Sequence, residues 1–175
     1  EDADVVAACE EAANGDVVAA VNFNAPGQVV IAGSGAAVDR AIEACKAKGA
    51  RKAMLLPVSV PSHCALMKGA AEELGQALDE VRFSDALTPV IQNVNAAAET
   101  DSATLKANLL KQLYSPVLWA DSVRALVGRD VTVAVECGTG KVLAGLAKRN
   151  DRGLSVHGIE DSQALTTAIA AFEPS

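Results

Sequence analysis

The sequence predicts an α/β fold, because helical and extended patterns alternate along it and its apolar residues suit helices and buried strands. Half of the 175 residues are apolar, while 3% are aromatic. A chain of this length and apolar content can bury a core, and an excess of Ala, Val and Leu favours helices packed on parallel strands. We expect one domain, or one domain with a smaller lobe.

The distribution of charged and apolar residues argues against nucleic acid and membrane as partners. The formal net charge is −7, and no group of Lys and Arg is long enough to follow a nucleic-acid backbone. No stretch approaches the roughly 20 apolar residues of a spanning helix, and the first residues are acidic where a signal peptide is basic. The sequence therefore predicts a cytoplasmic protein that binds neither nucleic acid nor membrane.

The cysteines predict packing rather than metal binding. Cys9, Cys45, Cys64 and Cys137 form no C-x-x-C pair and have no histidines at zinc-ligand spacing. Three lie in apolar runs, where a free thiol behaves as a small hydrophobic group. We expect reduced thiols and no metal site.

The first 57 residues predict an incomplete ferredoxin-like lobe. The predicted elements are a helix over 2–15, strands over 17–21 and 28–31 joined by a turn at 25–27, a helix over 36–48 capped by Ser34, and a strand over 52–56. This αββαβ order is a ferredoxin-like unit that lacks its first strand. Since an open sheet edge is avoided in natural domains, we expect the sequence to begin inside a domain.

Residues 58–175 predict a second, larger lobe. The predicted elements are a proline-rich loop over 58–63, helices over 64–81, 103–113, 117–127, 141–149 and 161–172, and strands over 89–94, 131–136 and 154–157. Asp101 is expected to cap the second of these helices, and residues 114–116 to interrupt the chain after it. Alternating strands and helices predict a mostly parallel sheet.

His63 is the stronger catalytic candidate of the two histidines. It ends the proline-rich loop and begins a helix, where a side chain can be held rigidly beside a cleft, as a general base requires. Cys64 is rejected as its nucleophile because adjacent helical residues point about 100° apart. The chain contains no G-x-S-x-G, and His157 is interpreted as structural. The sequence thus predicts a base without its nucleophile.

Two further patterns are interpreted as structural. The run from Gly138 to Lys141 lacks the Walker residues, since Val135 and Val142 stand where Gly and Ser or Thr are needed, so the glycines indicate a turn. Arg51 and Lys52 indicate an exposed basic pair, with phosphate contact as the alternative.

Four segments, taken together and in order, carry a resemblance to a known family. They are residues 21–33 (VNFNAPGQVVIAG), 56–67 (LPVSVPSHCALM), 112–119 (QLYSPVLW) and 136–143 (ECGTGKVL). The chain resembles the carboxy-terminal part of the bacterial malonyl-CoA:acyl carrier protein transacylases of fatty acid synthesis. The resemblance implies part of an α/β hydrolase-like parallel-sheet lobe over 58–175, beside the ferredoxin-like lobe over 1–57.

The resemblance also implies a mechanism and its residues. A serine attacks the malonyl thioester, and the acyl-enzyme passes malonyl to the phosphopantetheine thiol of acyl carrier protein. The implied roles are base and acid for His63, orientation of the imidazole by the backbone carbonyl of Gln112, an acyl and pantetheine channel for Asn22 and Asn24, and contact with CoA phosphates or an acidic carrier protein for Arg51 and Lys52. The expected partners are malonyl-CoA, carrier protein and the missing amino-terminal segment, with no cofactor and a monomeric complete enzyme.

The chain departs from the family in two respects. The serine elbow, the malonyl-binding arginine and the oxyanion loop are absent, so this segment alone is predicted to be inactive. Thr139 stands where the family has proline between two glycines. The alternatives are a non-catalytic module that binds CoA or carrier protein, and an acyltransferase segment of a polyketide synthase.

Overall fold

The computed structural model describes residues 1–172 of the chain. In chain order the elements are α1 (Asp2–Ala13), β1 (Val18–Ala25), β2 (Gln28–Gly33), α2 (Gly35–Ala47), a 3₁₀ turn (Ala65–Met67), α3 (Lys68–Asp79), β3 (Val90–Ile91), β4 (Ala98–Glu99), α4 (Ser102–Gln112), α5 (Trp119–Val127), β5 (Val133–Glu136), α6 (Val142–Asn150), β6 (Ser155–Gly158) and α7 (Ser162–Ala170). Helices and strands alternate, so the predicted α/β class is confirmed.

The chain divides into two compact units, Glu1–Trp119 and Ala120–Ser175. The lobe boundary that the sequence predicts after residue 57 does not coincide with this division. The reason lies in hydrogen bonds that join the middle of the chain to its beginning. Phe23 N donates to Val117 O at 2.9 Å, and Val117 N donates to Val21 O at 2.8 Å.

The opening helix and hairpin form as the sequence predicts. Asn14 ends α1 in the left-handed conformation, with φ 44°, a role that asparagine fills more easily than most residues. Strands β1 and β2 pair antiparallel, with Ala25 opposite Gln28 across the turn. Gly27 in that turn has φ 70°, which glycine adopts without steric cost.

Small side chains fill the core beneath this hairpin. Its buried residues are Cys9, Ala12, Val18, Ala37 and Ala41. Gly33 shows how close the backbones come, because a Cβ atom there would lie 2.0 Å from Val17 O. Helices α1 and α2 therefore approach each other and the hairpin through small residues, and the position at the end of β2 has to be glycine.

Arg40 joins α2 to the end of α1. Its Nε donates to Ala12 O at 2.8 Å, and one terminal nitrogen donates to Ala13 O at 3.0 Å and to Asp16 Oδ2 at 2.8 Å. The last carbonyls of a helix have no partner within the helix. The guanidinium supplies that partner and adds favourable charge at the helix C-terminus.

The cap predicted for α2 is wrong in its chemistry. Ser34 occupies the N-cap position with φ −67° and ψ 140°, but its side chain accepts no bond from the helix. Its Oγ instead donates to Val17 O at 3.2 Å. The Val17 carbonyl lies close to the end of β2, which is why position 33 requires glycine. The same carbonyl gives the Ser34 hydroxyl a partner outside the helix.

The strand predicted over 52–56 is wrong. Within residues 1–172 this stretch has no strand assignment, and Met54, Leu55 and Leu56 are 58%, 62% and 51% exposed. A strand requires a neighbour that pairs with its backbone, and apolarity alone does not supply one. The described residues thus give αββα in place of the predicted αββαβ.

The remainder of the first unit differs from prediction at two further places, one strand and the start of one helix. A single buried strand over 89–94 is wrong, because β3 and β4 form an antiparallel pair of two residues each, and Val90 is 43% exposed. The helix predicted from residue 64 begins with the 3₁₀ turn and continues as α3. The predicted cap of α4 is confirmed, since Asp101 accepts from Thr104 N at 2.7 Å.

The second unit contains the parallel pairing. Strands β5 and β6 are parallel, with Val133 opposite Ser155, and α6 connects them. Asp161 caps α7 by accepting from Ala164 N at 2.7 Å. The prediction of a mostly parallel sheet over 58–175 is met by the pair of β5 and β6 but not by β3 with β4, the other two-stranded sheet among the described residues of that range, which is antiparallel.

One finding concerns membranes. Among residues 1–172, no helix combines the length and the apolarity that crossing a bilayer requires.

Replacing Arg40 with alanine is expected to lower the free energy of unfolding by about 1–2 kcal/mol, because two helix-terminal carbonyls lose a partly buried donor. Urea denaturation followed by circular dichroism measures this. The matched control is Lys46→Ala on the same helix, whose partner Glu43 is 72% exposed, and we expect a change below about 0.5 kcal/mol there. Equal losses in the two variants would contradict the capping role of Arg40.

Candidate active site

His63 lies between the exposed proline-rich loop and the 3₁₀ turn, and it is half-buried. Its backbone adopts the left-handed conformation, with φ 64°. For a residue with a Cβ atom this conformation costs roughly 1–2 kcal/mol. Such strain persists only where neighbouring contacts impose it, and it is concentrated at functional sites.

The contacts that impose this conformation come from the end of α4. His63 Nδ1 lies 2.8 Å from Gln112 O, and His63 N donates to Leu113 O at 3.0 Å. A carbonyl oxygen can only accept, so Nδ1 carries the hydrogen and, in the neutral ring, Nε2 keeps its lone pair. This contact is the one that the family resemblance implies for Gln112, and it leaves Nε2 as the ring's proton acceptor.

Helix α4 also provides a favourable electrostatic setting for the ring. The imidazole contacts the carbonyl of its last residue, where the helix dipole concentrates partial negative charge. When Nε2 takes a proton, the positive charge of the ring faces this negative end. A neutral carbonyl and the helix behind it thus replace the carboxylate that commonly orients a catalytic histidine.

Residues 112–118, here named the α4 exit segment, hold this end of the helix in place. The side-chain Nε2 of Gln112 donates to Ser115 O at 3.2 Å and to Pro116 O at 3.4 Å. Val117 pairs with β1 opposite Asn22, and Leu118 N donates to Asn93 O at 2.8 Å. Sequence reasoning missed the side-chain contacts of Gln112, for which the only signal was a glutamine two residues before a Tyr-Ser-Pro turn.

Cys64 is turned away from the neighbouring imidazole. It is 2% exposed, and its Sγ donates to Pro61 O at 3.2 Å. The thiol and the ring therefore bond to different carbonyls, in agreement with the rejection of a Cys-His pair.

The other predicted site residues have separate surroundings. Asn22 and Asn24 are half-buried on β1, and the pairing of Asn22 with Val117 links it to the α4 exit segment. Arg51 and Lys52 are exposed after α2. Within the described part of the chain, no hydrogen bond or ion pair engages their side chains, and none connects them to His63. The structure thus joins His63 with Gln112, and the basic pair stands apart.

The glycine turn before α6 is occupied by carboxylates. Glu136, which is 8% exposed, accepts from Leu143 N and Ala144 N at 2.9 Å each. Glu160 accepts from Gly140 N at 3.3 Å. The amides that a phosphate would need are therefore bonded within the unit, which agrees with the interpretation of this run as a turn. Sequence reasoning missed the role of Glu136, although an acid before a glycine turn and a helix is a usable signal.

His157 has a local partner. Its Nε2 lies 3.2 Å from Ser155 Oγ, two residues earlier on β6. No group of three or more His, Cys, Asp or Glu residues able to hold a metal ion is found within residues 1–172.

Cys137 is expected to be the one thiol of the four that reacts rapidly with an aromatic disulfide reagent in the folded chain at pH 8. Cys137 is exposed, whereas the other three cysteines are buried. Burial raises the pKa of Cys9 to about 11 and also raises the pKa of Cys45. Since only thiolate reacts, a higher pKa means slower reaction, and Cys9 is about one part in a thousand thiolate at pH 8. Rapid reaction of more than one thiol before urea is added would contradict the predicted burial.

A second prediction concerns the strained backbone at His63. We expect His63→Gly to be more stable than His63→Ala by about 1 kcal/mol, because alanine keeps the cost of the left-handed conformation and glycine does not. Both variants lose the imidazole, so urea denaturation of the pair isolates the backbone. Ala107→Gly, at an exposed position inside α4, is the control and should lose about 1 kcal/mol. A more stable alanine variant at position 63 would show that the backbone there is not strained.

Comparison with known proteins tests the family resemblance. No family model matches the chain. The "Malonyl CoA-acyl carrier protein transacylase" of Salmonella typhimurium is 50% identical over 169 residues, which are 97% of this chain and 55% of that protein. The chain therefore spans about half the length of the curated relatives that it matches.

Solved structures agree with this result. The crystal structure of an acyl carrier protein S-malonyltransferase from Vibrio cholerae is 50% identical, with a TM-score of 0.92 over 95% of this chain and 55% of that one. A malonyl-transacylase solved in complex with its type II PKS acyl-carrier protein is 44% identical, with a TM-score of 0.93 over 97% and 55% of the two chains. The resemblance is thus confirmed: this chain is similar, over nearly its whole length, to about half of a malonyl CoA-acyl carrier protein transacylase.

Proposed function

We propose that this chain is the carboxy-terminal, histidine-bearing part of an acyltransferase that moves a malonyl group from malonyl-CoA to acyl carrier protein in fatty acid biosynthesis. The observation that carries the proposal is the 2.8 Å contact between His63 Nδ1 and Gln112 O. It fixes the tautomer in which Nε2 accepts a proton, as a general base requires. The similarity to malonyl transacylases supports the choice of substrate and acceptor.

In the first half-reaction, His63 Nε2 takes the proton of a serine hydroxyl as that oxygen attacks the malonyl thioester carbonyl. The ring becomes positive while Nδ1–H remains bonded to Gln112 O. Collapse of the tetrahedral intermediate breaks the carbon–sulfur bond, and Nε2 returns its proton to the departing CoA thiolate. The products are a malonyl ester of the serine and free CoA thiol.

The second half-reaction repeats these proton transfers with the carrier protein. His63 takes the proton of the phosphopantetheine thiol as its sulfur attacks the ester. The serine oxygen leaves and recovers the proton from Nε2, so the base is regenerated. The sequence of this chain contains no G-x-S-x-G, so the proposed serine belongs to a segment outside it. The chain alone is therefore expected to be inactive.

An exposed apolar run supports the idea that further polypeptide packs beside this site. Met54, Leu55, Leu56, Val58 and Val60 are each more than half exposed, from 51% to 68%. Contiguous exposed apolar side chains mark surfaces that bind other chain segments. We infer that the rest of the enzyme covers this run, completing a ferredoxin-like lobe around β1 and β2 and a hydrolase-like lobe around β5 and β6.

Charged and polar residues outside the His63 contact are proposed to bind the substrates. Arg51 and Lys52 are exposed cations suited to CoA phosphates or an acidic carrier protein, and Asn22 and Asn24 suit the acyl and pantetheine channel. The proposed reaction uses a CoA thioester as substrate and no cofactor. A cytoplasmic location and a monomeric complete enzyme remain predictions from the sequence.

The proposal is tested by a chimera in which this chain replaces the matching 55% of the Salmonella typhimurium protein. We expect the chimera to transfer radiolabelled malonyl from malonyl-CoA to carrier protein. His63→Ala should lower kcat by at least about a thousand-fold, since both half-reactions lose their base.

The matched control is His157→Ala in the same chimera, which we expect to retain activity within about two-fold. An inactive but folded chimera would count against the proposed reaction. An active chimera unaffected by His63→Ala would overturn the role of His63.

A further inference from the structure

Gln112 contacts the site through two different groups. Its backbone carbonyl accepts from His63, while its side-chain carboxamide reaches forward to the carbonyls of Ser115 and Pro116. These contacts lie in a partly buried part of the first unit. The backbone contact could in principle be made by any residue, so it does not explain why the side chain is glutamine.

We propose that the Gln112 carboxamide is a positioning group, which directs its own backbone carbonyl at the imidazole and thereby selects the ring tautomer. The effect of the Gln112 carboxamide on catalysis rests on the proposed function, whereas its effect on the tautomer of the His63 ring does not. Gln112 acts in this way through His63, without contact to the reacting atoms.

The need for such a group follows from the end of the helix. Leu113 N and Tyr114 N still donate backward, to Leu110 O and Lys111 O, both at 3.2 Å. The carbonyls of Gln112 and Leu113 come after the last helical hydrogen bonds, so their direction depends on the turn that follows. The carboxamide closes that turn by bonding to carbonyls three and four residues ahead.

The α4 exit segment gives the carboxamide a fixed support. Beyond Pro116, Val117 is bonded on both its N–H and its C=O to β1, and Leu118 N is bonded to Asn93 O. A side chain tied to a fixed backbone restricts its own main chain in turn. One continuous series of hydrogen bonds thus leads from β1, through the exit segment and Gln112, to His63 Nδ1.

The chemistry of this position selects glutamine. Only a hydrogen-bond donor can satisfy the two carbonyls, so a glutamate side chain would place acceptor against acceptor at neutral pH. Asparagine is one methylene shorter, and methionine has similar length and no donor. Gln112→Met therefore removes the hydrogen bonds with little change of volume, and Gln112→Glu replaces attraction with repulsion.

The first test is nitrogen-15 NMR of the His63 ring in this chain. In the parent chain we expect the Nδ1-protonated tautomer. In Gln112→Met we expect a mixture of tautomers, and the Nδ1–H should exchange with water roughly ten-fold faster than in the parent. Gln112→Glu should show a larger change. Gln76, exposed on α3, provides matched controls, because Gln76→Met and Gln76→Glu should leave both signals unchanged. The parent tautomer and exchange rate in a folded Gln112→Met protein would overturn the proposal.

The second test measures kinetics in the Salmonella chimera. Gln112→Met should lower kcat by roughly ten- to a hundred-fold, with KM for malonyl-CoA nearly unchanged, because the base is misplaced while substrate binding is not. An inactive parent chimera would count against the proposed reaction, and the NMR result would still decide the positioning role. A fall in kcat with the parent tautomer intact would reject positioning through the imidazole.

Discussion

The site depends on how the C-terminal end of α4 satisfies its backbone carbonyls. Every helix ends in carbonyl groups that have no partner within it. In this chain the ring and the backbone N–H of His63 bond to two of them. The bond between His63 and Gln112, which are 49 residues apart in sequence, therefore satisfies a helix-terminal carbonyl and also orients the imidazole.

The two halves of this contact differ in rigidity. The loop before His63 is exposed, whereas the α4 exit segment is hydrogen-bonded to β1 and to Asn93. The left-handed backbone of His63 costs free energy, and the bonds to Gln112 and Leu113 offset it. These bonds connect the loop to the end of α4, so α4 contributes directly to the position of the ring.

The sequence predicts local structure here much better than long-range pairing. The hairpin and the cap at Asp101 depend on residues a few positions apart, and they form as predicted. The run over 52–56 has strand-like composition but no strand neighbour among the described residues, so it forms no strand and stays largely exposed. The contact of His63 with Gln112 was predicted from the family resemblance and not from residue spacing. The carboxamide contacts of Gln112 were not predicted.

A neutral orienting group has a consequence for the proposed reaction, whose substrates are anionic. A carboxylate beside the ring would repel the malonyl carboxylate and the oxyanion of the proposed reaction, and it would itself titrate. The Gln112 carbonyl does neither, and it is part of the backbone, so no side-chain substitution removes it. What substitution can change is its direction, which the carboxamide and the exit segment determine. The ring therefore keeps its hydrogen bond in both protonation states. Because the fold already orients the ring, no free energy has to be spent on orienting it when substrate binds.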